Sequence, residues 1–395
     1  TFGHVPSSLY RCLKKPQRLC HTIRSNNWHS SCNIYYEIME TDSIYLGAIG
    51  TALPPCRIEQ DEAARLIALH YEKELRPRSK EMIAKVLSHP SIRSRYFAID
   101  RKEDIVALKN EDPDRRIARF TRWAKDLAVT AAKNAMAKAA AAAAEISVII
   151  VNTCTGYICP GISTYCLEPL GLRPDVWAFD LVGSGCGGAL PNMQMGEALL
   201  RKRGGGAALC ISVEICSATF QMDDDPSLLI SNAIFGDGAA AALLWDRPRG
   251  PRLAAFASRY APENRDDVRY VYKRGQLFNR ITPQLPGIIR RRVPPFIRDF
   301  LKSQNHGPAD VDAWALHPGG DRIVNGLQEE LFLTDSQIEP TRGVLRDAGN
   351  MSSPTVLFVL ERVLAGPGAI NRCCLCSYGA GLSMHACLLD AGLER

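Results

Sequence analysis

Apolar runs of strand length alternate along the chain with longer segments that have helical spacing. Such runs occupy residues 147–152, 207–214 and 312–317, and apolar residues recur at intervals of three and four through 119–145 and 287–302. Strands that alternate with helices usually form mostly parallel sheets with helices packed on their faces. The pattern therefore predicts an α/β fold.

The two halves of the chain repeat the same order of elements. Cys186 and Asn350 each follow a glycine and precede an apolar helix. In the strand that comes next, Cys210 follows Cys186 by the same number of residues as Cys374 follows Asn350. A repeat of this kind indicates a duplicated helix-and-strand unit. Two such units packed together would bring Cys186 and Asn350 to paired helix N-termini that face a common site.

Three segments follow from this division. Residues 1–42 show no clear periodicity, so we expect a poorly ordered leader there. Residues 43–246 form the half that carries Cys186. A joint rich in proline, arginine and glycine begins at residue 247, and residues 247–395 form the half that carries His317 and Asn350.

Composition and charge narrow the class of protein. Of the 395 residues 46% are hydrophobic and 23% are charged, and the net charge is +6. The apolar runs are shorter than the roughly 18 residues that a membrane span requires. The basic residues form no long tract with interleaved aromatic residues of the kind that binds nucleic acid. We therefore expect neither a membrane nor a nucleic acid as a partner.

The 14 cysteines lie mostly inside apolar strand and helix patterns rather than in loops. This placement favours a reduced, cytoplasmic compartment over a disulfide framework. Cys373, Cys374 and Cys376 have no second cysteine pair that would complete a zinc site, and the Cys and His residues of 1–42 match no common zinc-finger spacing. We expect no metal and no cofactor.

Cys186 is the candidate nucleophile. It lies in a glycine-rich turn, GSGCGG, between an apolar run and a helical pattern. Unpaired N–H groups at a helix N-terminus favour an anion, which predicts a lowered pKa for the Cys186 thiol. The glycines would let a substrate carbonyl approach closely. The alternative is that Cys186 is a small buried residue at a tight turn.

His317, in WALHPGGDRI, and Asn350, in DAGNMSSPTVLF, are the candidate partners of Cys186. A histidine can accept a thiol proton or donate to a developing oxyanion, and an asparagine can donate hydrogen bonds. Together the three residue types suit acyl transfer through a thioester. Papain-like proteases use the same residue types, but their CGSCW motif is absent here.

The sequence resembles the type III polyketide synthases of the chalcone and stilbene synthase family, and its bacterial members more than the plant ones. The resemblance covers about residues 44–389 and depends on the order and spacing of CTGYICPGIS, LGLRP, GSGCGGALPN, FGDGAAAALL, ALHPGGDRI, GNMSSPTVLF and YGAGLS. It implies a thiolase-like fold with a duplicated αβαβα layered architecture, and a homodimer.

The resemblance also implies roles for individual residues. Cys186 matches the nucleophile that holds the starter and the growing chain, and His317 and Asn350 match the pair that binds the malonyl-CoA carbonyl and stabilises the enolate. His317 also matches the partner that keeps the cysteine as a thiolate. Arg93 matches a basic contact to the phosphates of CoA. The remaining matches are the two aromatic gatekeepers and the cavity-lining positions: Phe235, Phe278, Thr155, Cys159, Thr219, Gly275, Ser352, Gly379 and Gly381.

The expected function is that of an acyltransferase. An acyl-CoA starter would be loaded on Cys186 and extended with malonyl-CoA by iterated decarboxylative Claisen condensation, followed by cyclisation. Two alternatives remain open: a single-condensation 3-ketoacyl synthase of the fatty-acid-priming type, and a non-catalytic scaffold with the thiolase fold.

Overall fold

The strands of the structure follow the apolar runs of the sequence, and helices fill most of the intervening segments. The computed structural model describes residues 43–368 and 370–391, and the predicted leader, 1–42, lies outside the described residues. The strands are β1 (Tyr45–Ala52), β2 (Cys56–Glu59), β3 (Ser94–Phe97), β4 (Ile146–Asn152), β5 (Trp177–Leu181), β6 (Ala207–Glu214), β7 (Gly238–Trp245), β8 (Arg252–Tyr260), β9 (Val268–Lys273), β10 (Gln276–Ile281), β11 (Ala313–Leu316), β12 (Arg372–Gly379) and β13 (Ser383–Asp390). The α-helices are α1 (Gln60–His70), α2 (Pro77–Leu87), α3 (Pro113–Lys138), α4 (Ile162–Leu167), α5 (Ala189–Arg203), α6 (Pro226–Ile234), α7 (Leu285–Ser303), α8 (Asp321–Leu331), α9 (Asp335–Ala348) and α10 (Thr355–Leu364).

The main sheet has nine strands in the order β11-β12-β13-β8-β1-β7-β6-β4-β5. Only β4 with β5, β4 with β6, and β11 with β12 are parallel neighbours in it. The prediction of mostly parallel sheets is therefore wrong. The reason is visible at β12 and β13, which are joined by a turn of three residues and must run antiparallel, because a parallel pair needs a long crossover connection.

Alternate side chains of the strands enter different cores, which gives the molecule its layers. In β12, Cys373 and Leu375 belong to a central core, and Cys374 and Cys376 belong to an outer core, as expected from the two-residue repeat of a strand. Helices α5 and α10 both contribute to the central core. Helix α3 covers the other face of the first-half strands, and α7 and α8 cover that of the second-half strands. The predicted αβαβα architecture is confirmed.

The starts of the two central helices are tied together by side-chain hydrogen bonds. Asn152, at the end of β4, donates to the hydroxyl of Ser353 just before α10 (2.9 Å) and accepts from Nδ2 of Asn192 in α5 (2.9 Å). The segments that carry Cys186 and Asn350 are thus fixed to one strand end. None of the helices in the residues that the structure describes has the length and apolar character of a membrane span.

Candidate active site

A cavity of about 540 Å³ lies between the two halves of the described fold. Its lining includes Cys186 and Phe235 from the first half and His317, Asn350 and Gly379 from the second. Most of its remaining wall is aliphatic, contributed by α2, α6, α7 and the β9–β10 hairpin. The structure therefore brings together the three predicted catalytic residues and one of the two predicted gatekeepers.

Cys186 lies in a short 3₁₀ turn, Gly185–Gly187, between β5 and α5. Gly379 of β12 packs directly against this turn, since a Cβ on Gly379 would lie 2.4 Å from both the backbone N of Gly187 and the backbone O of Ser184. Burial raises the pKa of the Cys186 thiol to about 12. The predicted lowered pKa is therefore wrong for the free protein, because desolvation outweighs the helix N-terminus that begins three residues later.

His317 is fixed through its backbone at the end of β11. Its N–H donates to the carbonyl of Cys376 (2.9 Å), and its own carbonyl accepts from the Tyr378 hydroxyl (2.5 Å). The rings of His317 and Tyr378 meet edge to face at 5.4 Å. Nδ1 of His317 is buried and has no hydrogen-bond partner among the described residues. Burial lowers the pKa of His317 to about 3, so its imidazole is neutral at physiological pH.

Asn350 is anchored to the segment that carries Phe235. Its N–H donates to the carbonyl of Ile234 (2.9 Å), and its carbonyl accepts from the N–H of Gly236 (3.0 Å). The side-chain Oδ1 of Asn350 accepts from the backbone N–H of Ser352 (2.8 Å), which leaves the amide nitrogen to donate elsewhere. Ser352 itself has a φ of 62°, an uncommon value for a residue other than glycine.

A buried arginine fixes the backbone around Phe235. Nη1 of Arg95 donates to the carbonyls of Asn232 (2.7 Å) and Phe235 (2.8 Å), and its Nε donates to Gln60 (2.8 Å). Sequence reasoning took Arg93 from the same SIRSRYF segment as a contact for CoA. In the structure Arg93 forms an ion pair with Asp347 (2.9 Å). Lys85, His89 and Arg322 supply the basic side chains of the cavity wall instead.

The other predicted cavity positions are not among the residues that line this cavity. Thr155, Thr219 and Gly275 line a separate small cavity of about 60 Å³. Phe278, on β10, has Lys273 over its ring, and Cys159 is exposed. Gly381 has a φ of 92°, and a Cβ added to it would meet open space. Ser352 is buried beside Cys154 and Cys186.

A second large cavity, of about 510 Å³, lies behind the turn that carries Cys186. Gly185 and Ala380 line it on the side of that turn, and Cys154 and Tyr270 line it elsewhere. Sequence reasoning missed the last two residues. Cys154 begins the CTGYICPGIS motif, but the sequence does not show which way its thiol points. Tyr270 lies on β9, which follows a charged stretch and has no clear strand pattern in the sequence.

Two family models match the chain and together span most of it. Residues 58–260 match the model described as FAE1/Type III polyketide synthase-like protein, and residues 254–390 match the chalcone and stilbene synthases, C-terminal domain. The chain belongs to the type III polyketide synthase family. The predicted resemblance is thereby confirmed.

Individual relatives agree with this family. The Mycobacterium tuberculosis protein named alpha-pyrone synthesis polyketide synthase-like Pks18 is 26% identical over 355 residues, which cover 87% of this chain and 90% of the relative. The 1,3,6,8-tetrahydroxynaphthalene synthase of Streptomyces peucetius subsp. caesius is 27% identical over 325 residues, which cover 80% of this chain and 85% of that enzyme.

Solved structures confirm the thiolase-like fold. PKS-I from the brown alga Ectocarpus siliculosus superposes with a TM-score of 0.81 at 25% identity, over 89% of this chain and 98% of the other. The 1,3,6,8-tetrahydroxynaphthalene synthase of Streptomyces coelicolor A3(2) superposes with a TM-score of 0.82 at 22% identity, over 89% and 100% of the two chains. The latter likeness concerns the fold alone.

Proposed function

We propose that this type III polyketide synthase loads an acyl-CoA starter on Cys186 and extends it with malonyl-CoA by iterated decarboxylative condensation, followed by cyclisation. His317 and Asn350 donate hydrogen bonds to the malonyl thioester oxygen, on which negative charge develops when carbon dioxide is lost. A neutral imidazole can serve as such a donor, and donors fixed in a dry cavity stabilise the enolate strongly. The enolate then attacks the acyl carbon on Cys186.

The observation that carries the proposal is that one cavity contains all three side chains. These side chains come from separate parts of the chain and line the same cavity: Cys186, His317 and Asn350. The aliphatic wall of this cavity suits the pantetheine arm of a CoA thioester. Lys85, His89 and Arg322 would then face its phosphates.

Product analysis tests the proposal directly. Purified protein is incubated with an acyl-CoA starter and radiolabelled malonyl-CoA, and the products are separated and identified by mass spectrometry. Cyclised triketides or tetraketides are expected, and Cys186→Ala should form none. A single 3-ketoacyl product would instead assign the chain to the single-condensation class, and the absence of any extended product would refute both enzymatic assignments.

We further propose that the enzyme is a homodimer that pairs through β5. This strand is at one edge of the main sheet, and it and the residue after it expose apolar side chains, with Phe179 43% and Val182 65% exposed. An uncovered apolar edge strand is a site for pairing with another chain. Analytical ultracentrifugation should show a dimer, and Val182→Glu should shift the protein towards monomer. A wild-type protein that sediments as a monomer would refute the pairing.

A further inference from the structure

The positive charge of Arg95 has no role in the scheme above. Arg95 is 2% exposed, and its Nε and Nη1 donate to three neutral oxygens, those of Gln60, Asn232 and Phe235. Nη2 has no hydrogen-bond partner among the described residues. The Asp237 carboxylate interacts with Arg95 electrostatically but forms no hydrogen bond with it, since its oxygens accept from other groups. A buried charge is costly unless its hydrogen-bonding groups are satisfied, so an acceptor at Nη2 would stabilise the protein.

A small cavity of about 50 Å³ lies against Arg95. Most of its wall is apolar and includes Ile67 of α1 and Val106 of the 3₁₀ helix Lys102–Asn110. None of the residues that line it also lines the cavity that contains Cys186. Its volume is roughly a third of that of an engineered protein cavity that holds benzene, so it admits an occupant of only a few heavy atoms.

Tyr71 supplies a second hydrogen-bond donor to this cavity. It is buried and lines the cavity, and its hydroxyl has no hydrogen-bond partner among the described residues. Burial raises the pKa of Tyr71, so the hydroxyl keeps its proton at physiological pH. Asn232 also lines the cavity, but its amide nitrogen donates to the carbonyl of Gln221 (2.6 Å). The cavity is therefore bounded by two donors that lack an acceptor, Arg95 and Tyr71.

A second buried arginine makes the surroundings of the cavity positive. Arg116 donates to the carbonyls of Leu108 (3.1 Å) and Phe220, which both line the cavity. The carboxylate of Glu111 interacts with Arg116 electrostatically but is paired with Arg119 (2.7 Å). Two buried guanidinium groups close to one small apolar space favour an anion there over a neutral molecule.

We propose that this cavity is a binding site for a small anion with a planar O–C–O group, either the carboxylate of a short-chain acid or bicarbonate. One oxygen of the anion accepts from Nη2 of Arg95, a second accepts from the hydroxyl of Tyr71, and any carbon chain lies against the apolar wall. Hydrogen bonds between an ionised donor and an ionised acceptor are among the strongest in proteins. We call this cavity, with Arg95 and Tyr71 as its donors, the anion site. The inference goes beyond the proposed function, because nothing in it depends on acyl-CoA chemistry.

Arg95 links the anion site to the wall of the active-site cavity. Its Nη1 holds the carbonyl of Phe235, which lines that cavity. Gly349, which precedes Asn350, packs so closely on Arg95 that a Cβ added to it would lie 2.7 Å from Cγ of the arginine. An anion that binds only the closed structure therefore makes local opening of residues 232–236 and 349–350 less frequent.

Titration of the full chain with isotope-labelled formate, acetate and bicarbonate, followed by the line width in carbon NMR, tests the anion site. Sodium chloride keeps the ionic strength constant, and labelled formamide is the neutral control. We expect saturable broadening of the anion signals and none of the formamide signal. Tighter binding of bicarbonate than of acetate would identify hydrated carbon dioxide as the source of the anion, and the reverse order would identify a short-chain acid. The absence of saturable binding for all three anions would overturn the proposal.

Two variants locate the binding without changing Arg95, whose loss would also release Phe235. Val106→Phe puts a ring into the anion site and should abolish formate binding. The matched control is Ile117→Phe, at a residue of nearly equal exposure that lies outside the anion site (38% against 37%), and it should bind formate as the wild type does. Tyr71→Phe removes one hydrogen bond to a charged group and should weaken binding about 10-fold. Wild-type affinity in Val106→Phe would place the anion elsewhere and overturn the proposal.

Hydrogen exchange of the backbone amides tests the link through Arg95. Formate at saturation should slow the exchange of peptides that contain residues 232–236 and 349–350 in the wild type, and it should have no such effect in Val106→Phe. Exchange rates that formate leaves unchanged in the wild type, or slows equally in both proteins, would refute the link.

Discussion

The contact between Gly379 and the nucleophile turn gives a sharp prediction for a single added methyl group. In Gly379→Ala the new Cβ would lie 2.4 Å from two backbone atoms of the turn, Gly187 N and Ser184 O, where ordinary contact begins at 3.4 Å. The turn must therefore move by about 1 Å. A displacement of that size at a reacting atom costs about 100-fold in rate, and the crowding costs about 1–3 kcal/mol of unfolding free energy.

Steady-state kinetics and denaturant unfolding measure the two effects separately. We expect Gly379→Ala to lower kcat for polyketide formation about 100-fold while the protein still folds. The matched control is Gly326→Ala in α8, where the added Cβ would meet only side-chain carbons of Arg290 at 3.5 to 3.6 Å. That variant should keep its kcat and gain up to about 1 kcal/mol of stability, because alanine favours a helix over glycine.

The kinetic result decides whether the position of Cys186 depends on this contact. If Gly379→Ala kept the wild-type kcat, the turn would have absorbed the methyl group without moving the sulfur, and the reasoning from backbone contact would be refuted. Equal losses of kcat in both glycine variants would point to a general effect of substitution and would refute it as well.

Three further predictions concern Asn350, the basic residues of the cavity wall, and His385, a buried histidine of β13. Asn350→Ala should lower the rate of malonyl-CoA decarboxylation about 100-fold or more, whereas Cys186→Gln should retain it. Release of labelled carbon dioxide measures this rate. Equal rates in Asn350→Ala and wild type would remove Asn350 from the mechanism. Lys85→Glu and Arg322→Glu should raise KM for acyl-CoA more than they change kcat, with a smaller effect at high salt; an unchanged KM would contradict a CoA contact. Burial lowers the pKa of His385 to about 4, below its unfolded value of about 6.5, so its contribution to stability is present above that unfolded value and lost as pH falls towards 4. In His385→Gln the free energy of unfolding should decrease by about 3 kcal/mol less over this pH range than in the wild type, as urea unfolding would measure. An unaltered pH dependence of the unfolding free energy would contradict this prediction.

The sequence predicted the buried strands well because continuous apolar runs leave few other structures. β6 (Ala207–Glu214) has the predicted bounds, β4 begins one residue before the predicted run 147–152, and β11 is one residue shorter at each end than the predicted run 312–317. Helix α2 (Pro77–Leu87) was missed, because its apolar residues stand among many charged ones in PRSKEMIAKVL. Helix α3 was predicted to extend to residue 145 but ends at Lys138. The chain turns out of the helix at Ala140, which has a φ of 49°. A run of alanines favours a helix throughout and does not indicate where the helix ends.

The site was predictable in its residues but less so in its electrostatics. Motif order identified Cys186, His317 and Asn350, which the structure places in one cavity. The pKa of Cys186 depends on how much water the surrounding side chains exclude, and a sequence does not show this. The same holds for Arg95, a buried charged residue whose partners Gln60 and Phe235 come from other parts of the chain.

The shared central core has a consequence for how such a chain could have arisen. Helices α5 and α10 bury their apolar faces in the same core, between strands of both halves. A primordial gene that encoded only one half would have produced a protein with that face open to water, and association of two copies is the simplest way to cover it. Gene fusion would then have freed the two copies to diverge, so that one kept a sulfur nucleophile at the helix start and the other acquired an amide.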